Sequence, residues 1–97
     1  MHVISEKKLR EFWQQWPNAE TPLRAWCRVA EHATWETFAG VRETYPHADQ
    51  VGRCTVFNIG GNKFRLVVMI FYEYGRVYIR HVLTHEEYDQ GTWKGEC

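Results

Sequence analysis

Residues 55–84 constrain this chain most. Three strand-like runs, 55–59, 63–72 and 76–84, are separated by Gly60-Gly61-Asn62 and by Tyr74-Gly75. The runs are rich in β-branched and aromatic residues, and the breaks are turn formers. This predicts an antiparallel meander with one face in need of cover. The cover is encoded upstream. After Ser5, a candidate N-cap, Leu9, Phe12, Trp13 and Trp16 recur at helical spacing until Pro17 stops the helix. Thr21 is a second candidate N-cap, with Pro22 at the first helical position and a stripe of Leu23, Trp26, Cys27 and Ala30. A third helix is expected over about 35–45, with Trp35, Phe38, Val41 and Tyr45 inward, ending before Pro46. Residues 2–4 read as a short edge strand and 47–53 as a polar connection. Helices first and a sheet later define an α+β class. N-terminal helices pack on a small antiparallel sheet in a single domain spanning 1–97.

Composition narrows the function classes. With 44% hydrophobic residues, including five Trp, five Tyr and five Phe, the chain is globular rather than disordered. It has no apolar run long enough to span a membrane. No apolar stretch follows a basic start, so no signal peptide is read. Cys27, Cys54 and Cys97 lack CxxC spacing, and the expectation is reduced thiols in a cytoplasmic protein. The formal net charge is zero, but it is unevenly spread. Residues 51–85 carry Arg53, Lys63, Arg65, Arg76 and Arg80 against Glu73 alone, whereas 86–97 carry Glu86, Glu87, Asp89 and Glu96 against Lys94. The expected sheet is basic and the chain end acidic.

A two-residue turn at Tyr74-Gly75 pairs Glu73 with Arg76, Phe71 with Tyr78, Met69 with Arg80, Val67 with Val82 and Arg65 with Thr84. The opposite face, Phe64, Leu66, Val68, Ile70, Ile79, His81 and Leu83, is mostly apolar and should take the helices. Arg65 then projects from the uncovered face. Beside it, Thr84-His85-Glu86-Glu87 matches a capping box, which starts a short C-terminal helix. His85 and Tyr88, three apart, share a face of that helix with Cβ atoms roughly 5–6 Å apart. Its free N–H groups favour an anion. A phosphate there would meet Arg65, His85 and Tyr88. Arg80 lies roughly 13 Å further along the same face, suited to a neighbouring phosphate. His81 reads as a hydrogen-bonded core histidine. His85 and Asp89 are a helical pair that could ligate a metal, but no third ligand is near, so no metal or cofactor is expected.

The segments VFNIGGNKFRLVV and VYIRHVLTHEEYDQGTWK resemble the HigB family of bacterial toxins from type II toxin–antitoxin pairs. HVIS at the start, PHAD at 46–49 and the Trp-rich helices extend the resemblance over nearly the whole chain. It implies a RelE-like fold and an mRNA endonuclease acting on the translating ribosome. It also implies neutralisation by a HigA-type helix-turn-helix antitoxin, the pair repressing its own promoter. Carried onto this chain, Arg65, His85 and Tyr88 would be catalytic, and Lys63, Arg80 and Lys94 would contact RNA phosphates. The chemistry expected is attack by the RNA's own 2′-hydroxyl, with Arg65 stabilising phosphate charge and His85 and Tyr88 handling protons or base stacking. Two alternatives stay open: a non-catalytic module binding RNA or protein, and an inactive relative acting with an antitoxin in repression.

Overall fold

A computed structural model describes residues 1–97. Its elements are β1 (His2–Ile4), α1 (Lys7–Gln15), α2 (Glu20–His32), α3 (Phe38–Thr44), β2 (Asp49–Val51), β3 (Cys54–Ile59), β4 (Phe64–Phe71), β5 (Arg76–Thr84) and α4 (His85–Gln90). The strands form one sheet in the order β1-β5-β4-β3-β2. All neighbours are antiparallel except β1, which runs parallel to β5. The α+β class with N-terminal helices and a short C-terminal helix is therefore observed. No helix is long and apolar enough to cross a membrane.

The helices cover one sheet face. Leu9, Leu23, Trp26, Ala30 and Val41 are buried against Phe57, Leu66, Val68, Val77 and Ile79. Phe57 is the centre of the aromatic packing, with ring centroids 5.4 Å from Trp26, 6.2 Å from Trp35 and 5.2 Å from Tyr45. Two helix starts differ from expectation. Ser5 takes a left-handed conformation (φ 73°) and caps nothing; Glu6 occupies the cap position, and its carboxylate accepts from the Cys27 thiol instead. Thr21 lies inside α2, because a short turn over Pro17–Ala19 runs directly into the helix at Glu20. In α3, the Thr37 hydroxyl accepts from the Gly40 amide, so the helix begins after Trp35. The polar connection contains β2, an edge strand with no apolar alternation to announce it. Gly60 and Gly61, at φ 63° and 70°, supply the left-handed turn between β3 and β4.

The β4–β5 register departs from the two-residue turn. Tyr72–Tyr74 form a single helical turn, and Gly75 completes a four-residue connection that pairs Phe71 with Arg76. The pairs run Met69 with Tyr78 and Val68 with Ile79, and then shift: Val67 pairs with His81 and Arg65 with Leu83. Arg80 is the extra residue of a β-bulge. A one-residue slip exchanges the faces of everything beyond it. Val82 consequently packs on the helical core, while His81 and Leu83 turn to the other side with Arg65. The expected pairs of Arg65 with Thr84 and Arg80 with Met69, and the core placement of His81, are corrected accordingly.

The outer face is not bare. Val56 and Val67 are buried beneath Trp93, with Met69, Leu83 and Tyr88 packed around them. Drawing Trp93 across the sheet carries the chain end to β3, where Cys97 forms a disulfide with Cys54 at a Cα separation of 5.3 Å. The expectation of three reduced thiols is thus corrected: only Cys27 is free. The cross-link spans 43 residues, and a loop of that length stabilises the fold by about 4 kcal/mol in the chain-entropy account. Reduction should lower the guanidinium unfolding midpoint by a matching amount. An identical midpoint with and without dithiothreitol would contradict the assignment.

Candidate active site

The end of the sheet is held by α4. The Thr84 amide donates to the Glu87 carboxylate at 2.9 Å and the Glu87 amide to the Thr84 hydroxyl at 3.3 Å, completing the expected capping box. This box also spends the helix start. With Glu86 and Glu87 in its first turn, the helix end repels rather than attracts an anion, contrary to the sequence reading. At the other end, the Trp93 indole donates to the Tyr88 carbonyl at 2.9 Å.

Arg65 lies on the outer face and is only 8% exposed. Its Nη1 donates to the Asn62 and Phe64 carbonyls, both at 3.2 Å, and Nη2 to the Asn62 side-chain oxygen at 2.6 Å. Its guanidinium carbon sits 5.2 Å from the centroid of the Tyr88 ring, which stacks on Trp93 at 4.9 Å and 17°. Arg65 and Tyr88 are thus brought together as the sequence suggests. Nε and one Nη2 hydrogen keep no protein acceptor, which leaves a fork suited to a phosphate.

His85 sits round the corner. Its Nδ1 lies 2.9 Å from the Asp89 carboxylate, one helical turn on, and its side chain is 47% exposed. The contact is an ion-pair distance, and neither ring nitrogen of His85 has a hydrogen-bond partner in the protein. His85 lines a cleft of about 740 Å³ with Phe12, Trp16, Lys63, Phe64 and Glu86. Neither Arg65 nor Tyr88 lines that cleft. The three side chains occupy the two flanks of the sheet end rather than one shared pocket. Lys63 belongs to the His85 flank and is exposed. Lys94 is exposed over Trp93, its Nζ 5.9 Å from the ring centroid.

Arg80 and His81 meet a residue the sequence reading missed. The Glu96 Oε2 atom accepts from Arg80 Nη2 at 3.1 Å and from His81 Nε2 at 2.8 Å. Arg80 Nε is buried with no partner. Asn62 was missed as well, although its place three residues before Arg65, in a turn, is a signal for a local side-chain contact. Glu96 has no such local signal, since it acts from fifteen residues beyond His81. Elsewhere, Glu6, Cys27 and Glu31 bring ligand atoms within 4.8 Å of one another. There the Cys27 thiol donates to both carboxylates, at 3.1 and 3.5 Å, and burial pushes it far above the usual thiol range. A protonated thiol bridging two carboxylates is a poor metal ligand.

The HigB toxin profile, described as the RelE-like toxic component of a toxin–antitoxin system, matches residues 19–91. The mRNA interferase toxin HigB of Escherichia coli K12 is 34% identical over 92 residues, covering 92% of this chain and 88% of that protein. The mRNA interferase HigB of Escherichia coli O157:H7 matches to the same extent, and that of strain CFT073 is 28% identical over 95 residues. This chain belongs to the HigB toxin family.

The Glu96 contacts predict an acid response. Hydrogen bonds from Arg80 and then His81 hold its carboxyl below the ordinary value of 4.5. A depressed carboxyl stabilises the fold fully above its unfolded value and loses that contribution as pH falls through the lowered folded value. Protection factors of amides 92–97, taken relative to the intrinsic exchange rate at each pH, should therefore fall only below 4.5. A fall beginning above that value would show that Glu96 does not hold the chain end.

Proposed function

We propose that this chain is the toxin of a type II pair and an mRNA endonuclease that cuts on the translating ribosome by 2′-hydroxyl attack. It would act in the cytoplasm, with a HigA-type helix-turn-helix antitoxin as its partner. The observation that carries the chemistry is the 2.9 Å contact between His85 Nδ1 and Asp89. A carboxylate beside an exposed imidazole sets a proton-exchanging ring and a negative charge together at the end of the sheet.

In this reading the 2′-oxygen attacks the adjacent phosphorus, the bond to the 5′-oxygen breaks, and a 2′,3′-cyclic phosphate and a 5′-hydroxyl result. His85 takes or returns a proton. The two N–H donors that Arg65 has free would face charge growing on the phosphate oxygens. Tyr88, held between Arg65 and Trp93, offers its phenol to the RNA. The substrate would cross the end of β4 and β5, from the Lys63 and His85 flank to the Arg65 and Tyr88 flank. Lys63, Arg80 and Lys94 would steady neighbouring phosphates. The nucleophile belongs to the substrate, so this route asks for no metal.

The test uses ribosomes programmed with a defined mRNA, purified protein and end mapping of the products. His85→Ala should lower the cleavage rate by about 10²–10⁴-fold, the usual worth of a positioned acid or base, with an unchanged circular dichroism spectrum. A single 2′-deoxy substitution at the cut position should abolish cleavage there. Cleavage at the deoxy position, or full activity of His85→Ala, would refute the mechanism.

A further inference from the structure

The last seven residues form a strap across the outer face. The strap leaves α4 at Gly91, buries Trp93 over Val56 and Val67, sets Glu96 on Arg80 and His81, and ends on β3. At its end the Arg53 amide donates to the Cys97 carbonyl at 2.9 Å, and Cys97 is bonded to Cys54. The fit is close: a Cβ on Gly52 would lie 2.5 Å from that carbonyl oxygen. The groups beneath or beside the strap are Tyr88, Arg80, His81 and, under Tyr88, Arg65.

The non-covalent hold is modest. The Arg80–Glu96 pair is 39% and 48% exposed at its two partners, and exposed pairs contribute little. Trp93 is the only residue of 91–97 that is fully buried. A seven-residue segment with one buried anchor opens readily. The disulfide is therefore the latch, and its two residues differ in burial: Cys54 is fully buried and Cys97 partly exposed.

We propose that Cys54–Cys97 is a thiol–disulfide exchange site that closes the strap when oxidised and releases it when reduced by a dithiol. One thiolate of the reductant attacks Cys97 Sγ, the sulfur–sulfur bond breaks, and Cys54 leaves as a thiolate that takes up a proton. The reductant's second thiol then attacks the mixed disulfide and frees the Cys97 thiol. Two electrons pass to the protein, and the reductant becomes a cyclic disulfide. Release removes Glu96 from Arg80 and His81 and exposes one face of Tyr88. The consequence for RNA rests on the endonuclease reading: the oxidised form presents a neutralised face, the reduced form a basic one with an accessible aromatic ring. A cytoplasm that keeps thiols reduced would hold the strap open, and the reverse exchange with a disulfide, which takes up the two electrons and becomes a dithiol, would close it.

Hydrogen exchange on the full-length oxidised protein, the dithiothreitol-reduced protein and Cys97→Ser tests the latch directly. Amides 92–97 should exchange several-fold faster in the last two, at labelling times too short for the central strands to exchange in any form. Cys27→Ser should keep the whole contrast, which places the effect on the disulfide rather than on the free thiol. Cleavage of ribosome-bound mRNA should be several-fold faster for Cys97→Ser than for oxidised wild type, both assayed without reductant. Equal exchange in oxidised and reduced protein overturns the proposal, as does equal cleavage by strapped and released forms. A strap that loosens while no form cuts RNA upholds the latch and sinks the endonuclease reading instead.

Discussion

One extra residue in β5 decides which side of the sheet each functional group faces. The bulge at Arg80 leaves the pairing near the hairpin intact and exchanges the faces beyond it. Without it, His81 and Leu83 would point into the helical core and Val82 would face outward. With it, Leu83 and Val67 share the outer face and contribute to the apolar seat under Trp93. His81 becomes available to Glu96, and the Arg80 guanidinium reaches the same carboxylate. The outer-face core, the acidic clamp and the route of the chain end to Cys54 all follow from that local irregularity.

Much of the scaffold was legible in the sequence because its signals are local. Strand runs bounded by Gly60-Gly61 and Gly75 appear as β3, β4 and β5 to within a residue or two, and the Thr84–Glu87 box appears with both of its hydrogen bonds. Register was not legible. Val82 and Leu83 are both apolar, so either could face the core, and Arg80 carries no glycine or asparagine to mark a bulge. Helix starts at Ser5 and Thr21 failed for a similar reason: the cap residue type is present, but Ser5 takes a left-handed conformation and the turn at Pro17–Ala19 runs straight into α2 before Thr21. The disulfide was invisible because it depends on where Trp93 carries the chain, which no spacing of three cysteines can express.

The charge pattern acquires a structural meaning. The segment rich in Arg and Lys and the acidic chain end, separate in sequence, are folded against each other through Glu96, Arg80 and His81. Arg65 is compensated differently, by neutral carbonyls, an amide oxygen and an aromatic ring. Neutral partners satisfy the geometry of a guanidinium without cancelling its charge. Arg65 therefore keeps its full attraction for an anion although it is nearly buried, whereas the charge of Arg80 is locally offset. Two arginines of similar appearance in the sequence thus have different electrostatic availability.

The short helix α4 explains how two flanks of one site can behave independently. A six-residue helix is unstable in isolation, so it persists here through satisfied ends and packing. Its start is fixed by Thr84 and Glu87, directly after β5, and this holds His85 and Asp89 one turn apart whatever the chain end does. Its finish depends on Gly91 and on the Trp93 indole, which bonds the Tyr88 carbonyl and stacks on the Tyr88 ring. Tyr88 is therefore coupled to the strap, whereas the imidazole–carboxylate pair is anchored to the sheet. In the proposed reading, a change at the chain end repositions the aromatic flank and uncovers basic groups without disturbing the His85–Asp89 pair. That separation follows directly from which helix end each residue sits near.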